Sequence, residues 1–425
     1  MKKIFKCSVA LFLGLFARAV LHRYRPRIVM VSGSVGKTST KDAVAAALSA
    51  RFFVRKSEKS FNSEFGVPFT ILGVRNPWGS PFAWARVIKS ALVLLFLPNR
   101  YPNLLVLEVG ADRPGDLARI LRIATPDAVV ITRLPEVPVH VEAYLSPEAV
   151  REEEFSPAYA LAASAPLIIP IDDPYAQDCS KRTPARCISY GATGSASVRV
   201  SGIDFYEAGG KIAGMQAEVS VDGEQGGVVV VKGSVGRTQL LPAAAAVATA
   251  SAFGISLTEA LKALEAYEPP PGRGRIFAGK NGSTIIDDSY NASPAAVEEA
   301  LGTLKSFPHA GRRIAVLGDM LELGRYSVTE HERIGTLAGE STDVVITVGI
   351  RARAFTIASK DAEVLQFDNS RAAAAALPEL VHEGDVVLVK GSQSVRTERI
   401  VQALLADPAD AARLVRQEKQ WKRKK

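Results

Sequence analysis

Cysteine is scarce in this 425-residue sequence, which has only three, at Cys7, Cys179 and Cys187. An odd number without metal-ligand spacing argues against a disulfide framework and a zinc site, so a reducing compartment is expected. The apolar run Cys7–Ala17 has 11 residues, whereas a helix needs about 20 to span a bilayer. With 47% hydrophobic and 23% charged residues, the composition is that of a globular protein rather than a disordered, collagenous or coiled-coil chain.

Acidic residues are absent from the start of the chain, and the basic character of the protein is confined to its two ends. Met1–Arg27 contains seven Lys or Arg and no acid, and Arg416–Lys425 contains six against one glutamate. Because the whole chain carries only +8, the body between these ends is mildly acidic. A nucleic-acid partner is therefore not predicted, and the basic ends fit an anionic membrane surface better.

The pattern of apolar segments predicts two α/β domains. Strand-like segments alternate with helical spacers from residue 27 onward, which is typical of a parallel sheet covered on both faces. Gly, Ser and alternating Val in 195–232 indicate antiparallel hairpins, and a proline-rich linker precedes a second alternation of strands and helices. The predicted segments are a basic and apolar N-terminal helix (1–26), a central parallel-sheet domain (27–267), the linker (268–272), a Rossmann-like α/β domain (273–410) and a basic tail (411–425).

A glycine-rich loop lies between the first predicted strand, Ile28–Ser32, and the helix that follows it. Its residues are Gly33, Ser34, Val35, Gly36, Lys37, Thr38 and Ser39. In this context the glycines let backbone N–H groups converge on a phosphate, Lys37 reaches the outer phosphates and Thr38 offers its hydroxyl to Mg²⁺. The loop has one glycine fewer than the longer phosphate-loop pattern, and an ordinary tight turn is the alternative. We predict that the central domain is a P-loop ATPase domain.

Further motifs follow this loop in the sequence. They are Phe61–Pro68, Leu107–Gly110, Ile171–Pro174, Pro271–Arg275, Ile286–Pro294, Gly318–Gly324 and Lys390–Ser392. Together with the phosphate loop they resemble the Mur ligase family, from about Arg27 to about Leu405. The branch that they resemble most adds D-alanyl-D-alanine to UDP-N-acetylmuramoyl-tripeptide in peptidoglycan synthesis. The Asp-Asp-Ser-Tyr-Asn-Ala-Ser-Pro and Gly-Asp-Met-Leu-Glu-Leu-Gly strings are the most specific elements of the resemblance.

The resemblance implies a ligase that uses ATP and Mg²⁺ to form an amide through an acyl phosphate. Such chemistry depends on positioning and on neutralisation of charge. The family pattern implies that Lys37 contacts the phosphates, that Thr38 and Glu108 hold Mg²⁺, and that His140 helps to hold a second metal ion. The expected catalytic residues are Lys37, Glu108, His140 and Glu154. The expected ATP-binding residues outside the loop are Gln239, Arg273, Asp288, Tyr290 and Asn291. The expected substrate-binding residues are Asn62, Asp319, Glu322, Lys390 and Ser392.

These assignments have structural alternatives. Glu108 could be a solvated strand end, His140 a structural histidine and Asn291 a helix cap. The two loops that contain Glu322 and Ser392 could be tight turns. They follow predicted strands, however, and loops at the carboxyl ends of parallel strands line ligand crevices.

Three departures from the family pattern matter. Members usually begin with a domain of roughly 100 residues that holds the uridine nucleotide, whereas about 26 residues precede the phosphate-loop strand here. We expect either that another surface or protein holds the sugar nucleotide, or that the substrate is a different carboxylate, for example a lipid-linked one met at the membrane. Glu154 corresponds to a carbamylated lysine of many members, and it is either a metal ligand or part of a solvated helix face. Gly236–Pro242 replaces a His-Asn segment, and Gln239 in it can still bond a base edge.

The predicted function is an ATP-dependent carboxylate–amine ligase of peptidoglycan precursor synthesis, with small-molecule cell-wall substrates. Cytosolic ATP places it on the cytoplasmic side, and a cleaved secretory signal is disfavoured. One alternative is a Mur-type ligase with a different substrate pair. Another is a membrane-proximal nucleotide-binding module without turnover. The N-terminal helix is expected either to pack on the first domain or to lie on the inner membrane face.

Overall fold

A computed structural model describes residues 2–58, 61–77, 80–308, 311–358, 362–418 and 421. The strands are β1 (Arg27–Ser32), β2 (Val54–Lys56), β3 (Leu104–Glu108), β4 (Ala128–Ile131), β5 (Pro166–Pro170), β6 (Arg186–Gly191), β7 (Val198–Ala208), β8 (Lys211–Val221), β9 (Glu224–Lys232), β10 (Arg275–Ala278), β11 (Thr284–Asp288), β12 (Arg313–Gly318), β13 (Val344–Val348), β14 (Glu363–Phe367) and β15 (Val386–Lys390). The helices are α1 (Lys2–Tyr24), α2 (Lys37–Leu48), α3 (Gly66–Leu72), α4 (Pro81–Phe96), α5 (Asp116–Leu121), α6 (Pro147–Tyr159), α7 (Pro174–Ser180), α8 (Leu241–Ala252), α9 (Leu257–Leu264), α10 (Pro294–Ser306), α11 (Ser327–Gly339), α12 (Ala354–Ala358), α13 (Ser370–Leu380) and α14 (Glu398–Leu404).

The first sheet has nine strands in the order β2-β3-β1-β4-β5-β6-β7-β8-β9. In this order, all neighbours from β2 through β1 to β7 pair in parallel. Strands β7, β8 and β9 form antiparallel hairpins. Along β1 the side chains alternate between two apolar layers, with Val29 and Val31 in the layer of α2 and α8, and Ile28 and Met30 in the opposite layer. Helices on both faces explain why the central strands are apolar throughout.

The second sheet has six strands in the order β10-β11-β15-β12-β13-β14, and only β10 is antiparallel to its neighbour. Its core also has two layers: Leu388 belongs to the layer of α10 and α11, whereas Val387 belongs to that of α13 and α14. The predicted α/β fold class, with a parallel central sheet and a second α/β sheet, is confirmed. The limits of the domains stay a prediction.

The carboxyl ends of the two sheets face each other. Strand β4 leads to Arg133, whose Nη1 lies 2.6 Å from Oε1 of Glu299 on α10. The backbone also joins the two parts, because Val235 N donates to Gly274 O at 2.8 Å. The loops after the parallel strands of both sheets are therefore brought to one region, where ligand crevices form in such sheets.

Helix α1 packs on the central domain, which is the first of the two arrangements expected from the sequence. Leu13, Ala17 and Val20 are buried beside α3 and α4. At the end of α1, Tyr24 stacks on Tyr101 with 4.5 Å between the ring centroids, and its hydroxyl donates to the carbonyl of Leu94 at 2.9 Å. Across the described part of the chain, no helix combines the length and apolarity needed to cross a bilayer.

Candidate functional site

The phosphate loop has the backbone geometry that its glycines predict. Gly36 has φ +89° and caps the N-terminus of α2, and Gly33 has φ +121°. A Cβ on Gly33 would lie 2.4 Å from Oγ1 of Thr132, so only glycine fits there. The loop therefore presents its backbone at a helix N-terminus, which favours an anion.

Lys37 and Glu154 meet within the loop. The Lys37 ammonium donates to Gly33 O and lies 3.4 Å from Oε1 of Glu154. Oε2 of Glu154 accepts from Gly33 N at 3.2 Å and from Oγ of Ser32 at 3.1 Å. Because Glu154 is only 2% exposed, the alternative of a solvated helix face is wrong. The geometry makes Glu154 a partner of the phosphate loop, and its role as a metal ligand stays a prediction.

Glu108 ends β3 beside this pair. It is 1% exposed, and its Oε2 has no hydrogen-bond partner among the residues that the structure describes. Burial raises the pKa of Glu108, and the cations Lys41 and Lys37 oppose this shift. Ser57 fixes the strand end, because its Oγ accepts from Glu108 N at 3.1 Å and its carbonyl accepts from Lys41 Nζ at 2.7 Å. The alternative of a solvated strand end is therefore wrong. Lys41 and Ser57, which support Glu108, belong to no motif recognised in the sequence.

Arg273 follows the linker between two glycines that share φ +68°. A Cβ on Gly272 would lie 3.0 Å from Tyr290 N, and one on Gly274 would lie 2.5 Å from Val235 O. This close packing places the Arg273 guanidinium carbon 4.1 Å from the centroid of the Tyr290 ring, a cation–π contact. Arg273 and Tyr290, both predicted to bind nucleotide, are thus held against each other.

Two clefts meet at Arg273 and the phosphate loop. The first cleft, of about 510 Å³, is lined by Val35, Gly36, Ser39, Gln239, Arg273, Asp288 and Lys390, among others. The second cleft, of about 660 Å³, is lined by Ser34, Lys37, Thr38, Asn62, Glu108, His140, Glu154, Arg273, Tyr290, Asn291, Glu322 and Ser392, among others. Val35, Gly36 and Arg273 belong to both. The structure therefore brings nearly all of the predicted site residues to two adjoining cavities.

Lys390 is buried behind the first cleft and supports Asp288. Its Nζ lies 2.5 Å from Oδ2 of Asp288 and donates to Asn291 O at 3.1 Å. Burial lowers the pKa of Lys390, while the neighbouring Asp288 carboxylate raises it. Lys390 therefore orients the Asp288 carboxylate from within the protein. Contact between Lys390 and a substrate stays a prediction.

His140 and Glu322 join the two domains at the mouth of the second cleft. Nδ1 of His140 lies 2.9 Å from Oε2 of Glu322, and Nε2 lies 3.5 Å from Oδ1 of Asp112. Burial lowers the pKa of His140, but the Glu322 and Asp112 carboxylates outweigh it, and the net shift is upward. The same contact lowers the pKa of Glu322. His140 therefore forms an interdomain pair, and its metal role stays a prediction.

The loop after β12 is held by hydrogen bonds within its own domain. Oδ1 of Asp319 accepts from Ala352 N at 2.7 Å, and Oγ of Ser392 accepts from Leu321 N at 2.9 Å. Buried His331 accepts from Met320 N at 3.0 Å through Nε2. Asp319 is thus bound to its own domain, and its predicted substrate contact has no support from this geometry.

The segment predicted as a basic tail contributes a buried arginine. Nη1 of Arg416 lies 3.0 Å from Oε2 of Glu398 and donates to Ser289 O at 3.1 Å. Nη2 donates to Tyr290 O. The charge of Arg416 therefore braces the loop after β11 rather than facing a membrane, and nothing in the local pattern of cations indicated this.

The residues at the phosphate loop fit Mg²⁺ with a nucleotide. In the residues that the structure describes, no three His, Cys, Asp or Glu side chains are grouped so as to hold a metal by themselves. Mg²⁺ needs no such group, since it is usually bound by one or two carboxylates together with phosphates and water. The orphaned Oε2 of Glu108 and the buried, unpartnered Oγ of Ser34 are oxygens that such a complex would satisfy.

Comparison with known proteins agrees with this geometry. The model of the Mur ligase middle domain matches residues 31–250, and that of the Mur ligase glutamate ligase domain matches residues 272–393. The UDP-N-acetylmuramoyl-tripeptide--D-alanyl-D-alanine ligase of Bacillus subtilis is 28% identical over 401 residues, 92% of this chain and 79% of the relative. The ligase of the same name from Mycobacterium leprae is 30% identical over 411 residues, 90% of this chain and 74% of the relative.

A solved structure gives the same result for the three-dimensional arrangement. The crystal structure of the MurF ligase from Thermotoga maritima in complex with ADP superposes with a TM-score of 0.75 at 28% identity, covering 93% of this chain and 83% of that chain. The middle-domain match alone spans more than half of the sequence, and the residues that it contains build the phosphate loop, most of the first cleft and part of the second. The chain therefore belongs to the Mur ligase family.

Proposed function

We propose that the protein is an ATP- and Mg²⁺-dependent ligase that joins a carboxylate to an amine through an acyl phosphate. The observation that carries this proposal is the buried Glu108 carboxylate, which lies beside a phosphate loop shared by two clefts. Its Oε2 lacks a partner in the described part of the chain. A first cleft of about 510 Å³ is within the range of small-molecule sites. One cleft can therefore hold a nucleoside while the other holds the groups to be joined.

In this proposal the first cleft binds the nucleoside part of ATP. Gln239 lines it with a buried Oε1 that no other described residue contacts by a hydrogen bond, and we assign this amide to the base edge. Asp288, oriented by Lys390, is assigned to the ribose. Arg273 lies between the clefts and reaches the phosphates, where its charge is already positioned by Tyr290.

The second cleft is the proposed place of the chemistry. Mg²⁺, held by Thr38 and Glu108, would supply charge neutralisation for the transferred phosphoryl group. Lys37 would add a further cation, and the Glu154 carboxylate sets the position of the Lys37 ammonium through their contact. The substrate carboxylate takes the phosphoryl group, the amine then displaces phosphate, and each partner must be held in line by the cleft walls.

The relatives support the identity of the substrates. Their names specify D-alanyl-D-alanine and UDP-N-acetylmuramoyl-tripeptide, and we propose the same amine and a similar carboxylate for this chain, as small molecules of peptidoglycan precursor synthesis on the cytoplasmic side. Asn62, Glu322 and Ser392 line the second cleft and are the proposed contacts. A partner that supplies a sugar-nucleotide site remains part of the proposal.

The test is an assay with both named substrates. Purified protein receives ATP, Mg²⁺, UDP-N-acetylmuramoyl-tripeptide and D-alanyl-D-alanine, and ADP release and amide product are followed together. We expect product with the native chain and none above background with Lys37→Ala. Lys181→Ala, which changes an exposed lysine on the surface, is the matched control and should behave as the native protein.

Two results would contradict the proposal in different ways. ADP release that requires another amine or carboxylate would keep the ligase chemistry and replace the substrate pair. ATP binding without turnover over a panel of carboxylates and amines would exclude a ligase and favour a nucleotide-binding module.

A further inference from the structure

The outer surfaces of α1 and α4 carry large apolar side chains that nothing in the described chain covers. On α4, Phe82 is 84% exposed and Phe96 is 73% exposed, with Leu92 also exposed. On α1, Leu11 is 68% exposed and Leu15 is also exposed. Scattered apolar residues are ordinary on a protein surface, whereas contiguous apolar patches mark interaction sites. We call these two helix surfaces the α1–α4 face.

The two helices form one unit at their C-terminal ends. Arg23 of α1 donates to the carbonyls of Leu95 and Leu97 at the end of α4, the second at 3.3 Å. The Tyr24 hydroxyl donates to Leu94 O at 2.9 Å. Since Leu97 is itself exposed, the apolar surface of α4 continues to the point where the basic end of α1 crosses it.

The two helices of this face and the segments directly beside them in the sequence carry cations and no acids. The sequence has no Asp or Glu between residues 1 and 41, and none between residues 65 and 107. Exposed cations are distributed over both helices and their flanks, namely Arg18, Arg25, Arg86, Lys89 and Arg100. Exposed apolar side chains surrounded by Lys and Arg, without acids, are the pattern of helices that lie in the interface of an anionic bilayer.

A groove beside α1 extends the same pattern. It has a volume of about 340 Å³ and is lined by Leu11, Gly14, Leu15 and Ile123, together with Arg18 and Arg122. Arg119 and Glu64 also line it, and these two pair with each other at 3.9 Å. An apolar floor with arginines at its edge suits an acyl chain and its anionic headgroup better than it suits a polar peptide.

We propose that the α1–α4 face docks the protein on the surface of an anionic lipid bilayer, without a membrane-spanning segment. The contact uses shallow insertion of Phe82, Phe96 and Leu11 and attraction of the surrounding cations. Among the described residues, neither α1 nor α4 contributes to the walls of the two clefts. Docking therefore leaves the proposed reaction site open, and the proposal does not depend on the substrate pair.

The experiment is cosedimentation of the full chain with lipid vesicles. One set contains only phosphatidylcholine, and the other contains about 30% phosphatidylglycerol. We expect binding to the anionic vesicles alone, with release in about 0.5 M salt, because salt screens the attraction of surface charges. The double variant Phe82→Ser/Phe96→Ser and the double variant Arg86→Glu/Lys89→Glu should each lower the bound fraction at least about tenfold.

The matched control is Val228→Ser/Ile350→Ser, which removes two exposed apolar side chains elsewhere and should bind as the native chain does. Thermal unfolding verifies that all variants fold. ATP turnover with soluble substrates and no vesicles should be the same in Phe82→Ser/Phe96→Ser as in the native chain, so failure of docking is distinguishable from failure of the ligase proposal. Absence of vesicle binding, or equal binding to both lipid compositions, overturns the proposal. A dimer that the Phe82→Ser/Phe96→Ser variant abolishes, without vesicle binding, would instead assign the face to a second copy.

Discussion

The two clefts meet at Arg273, but their walls are different. The first cleft has a large apolar lining, with Leu134, Tyr175, Leu241 and Ile286 among its residues, beside charged side chains such as Asp288 and Lys390; the second cleft has fewer apolar side chains. The second is lined by many ionisable side chains: Lys37, Glu108, Asp112, His140, Glu154, Arg273, Glu322 and Arg396. Binding of a nucleoside needs an apolar slot with few directional contacts, whereas transfer of a phosphoryl group needs positioned charge. We therefore assign the affinity for ATP mainly to the first cleft and the rate of phosphoryl transfer mainly to the second.

Several charged side chains of the second cleft are paired with each other. Lys37 contacts Glu154, and His140 contacts Glu322 across the two domains. Such pairing fixes the positions of charged groups and lowers the cost of reorganising them during reaction. Substitutions in the second cleft should therefore change kcat, and substitutions in the first should change KM for ATP.

The largest effect is expected for Glu108→Gln. This change keeps the shape of the side chain but removes the negative charge that is proposed to hold Mg²⁺, so kcat should fall by about 1,000-fold. ATP affinity, measured by calorimetry, should change by less than about tenfold, because the first cleft is intact. Normal turnover by this variant would show that Glu108 is not a metal ligand. It would also contradict the assignment of catalysis to the second cleft.

A smaller loss of kcat is expected for Glu154→Ala. The change leaves the N–H of Gly33 and the Lys37 ammonium without their carboxylate partner in a buried place, and a fall of about 30-fold is expected. The adjacent Glu152→Ala is the control, because Glu152 forms an exposed pair with Arg182 and should alter kcat by less than about threefold. Equal, small effects of both variants would show that the loop does not depend on Glu154.

In the first cleft we expect a substitution to change KM for ATP rather than kcat. Gln239→Ala removes the amide assigned to the base edge, and loss of one hydrogen bond should raise KM for ATP about tenfold. Its kcat should stay within about twofold of the native value. Gln366→Ala, at an exposed position of β14, controls for the loss of a glutamine. A fall in kcat at unchanged KM would mean that Gln239 acts in the chemistry and that the two clefts are not separate in function.

The features that the sequence predicted correctly are local ones. The phosphate loop requires glycines at Gly33 and Gly36 between a strand and a helix, and this pattern is complete within a few residues. The parallel strands could likewise be recognised because burial on both faces leaves near-continuous apolar runs. The helix α4 was missed, because exposed apolar residues such as Phe82 and Phe96 obscure the helical spacing of its buried residues Val87, Ala91 and Leu94.

The features that could not be predicted depend on residues far apart in the chain. The Arg416 guanidinium reaches Glu398 and the carbonyls of Ser289 and Tyr290, yet in the sequence it belongs to a run of cations that resembles a solvated tail. Lys390 similarly reads as a loop cation but is buried against Asp288. Pairing across long separations is decided by tertiary packing, which composition and periodicity do not encode.

The smallest effect is expected in how the free energy of unfolding depends on pH. It concerns the loop that forms one wall of the second cleft. Burial lowers the pKa of His331, whose neutral ring accepts from Met320 N and thereby holds the loop that carries Glu322. Because the folded pKa lies below the unfolded value of about 6.5, this contribution is complete above that pH and is lost as the pH falls towards the folded pKa. The free energy of unfolding should therefore decline in that window by up to about 1.4 kcal/mol per pH unit. In His331→Gln the decline should be shallower, whereas His22→Gln, an exposed position on α1, should retain the native slope. Equal slopes in denaturant titrations of all three proteins would show that the loop of the second cleft is not held by a neutral histidine.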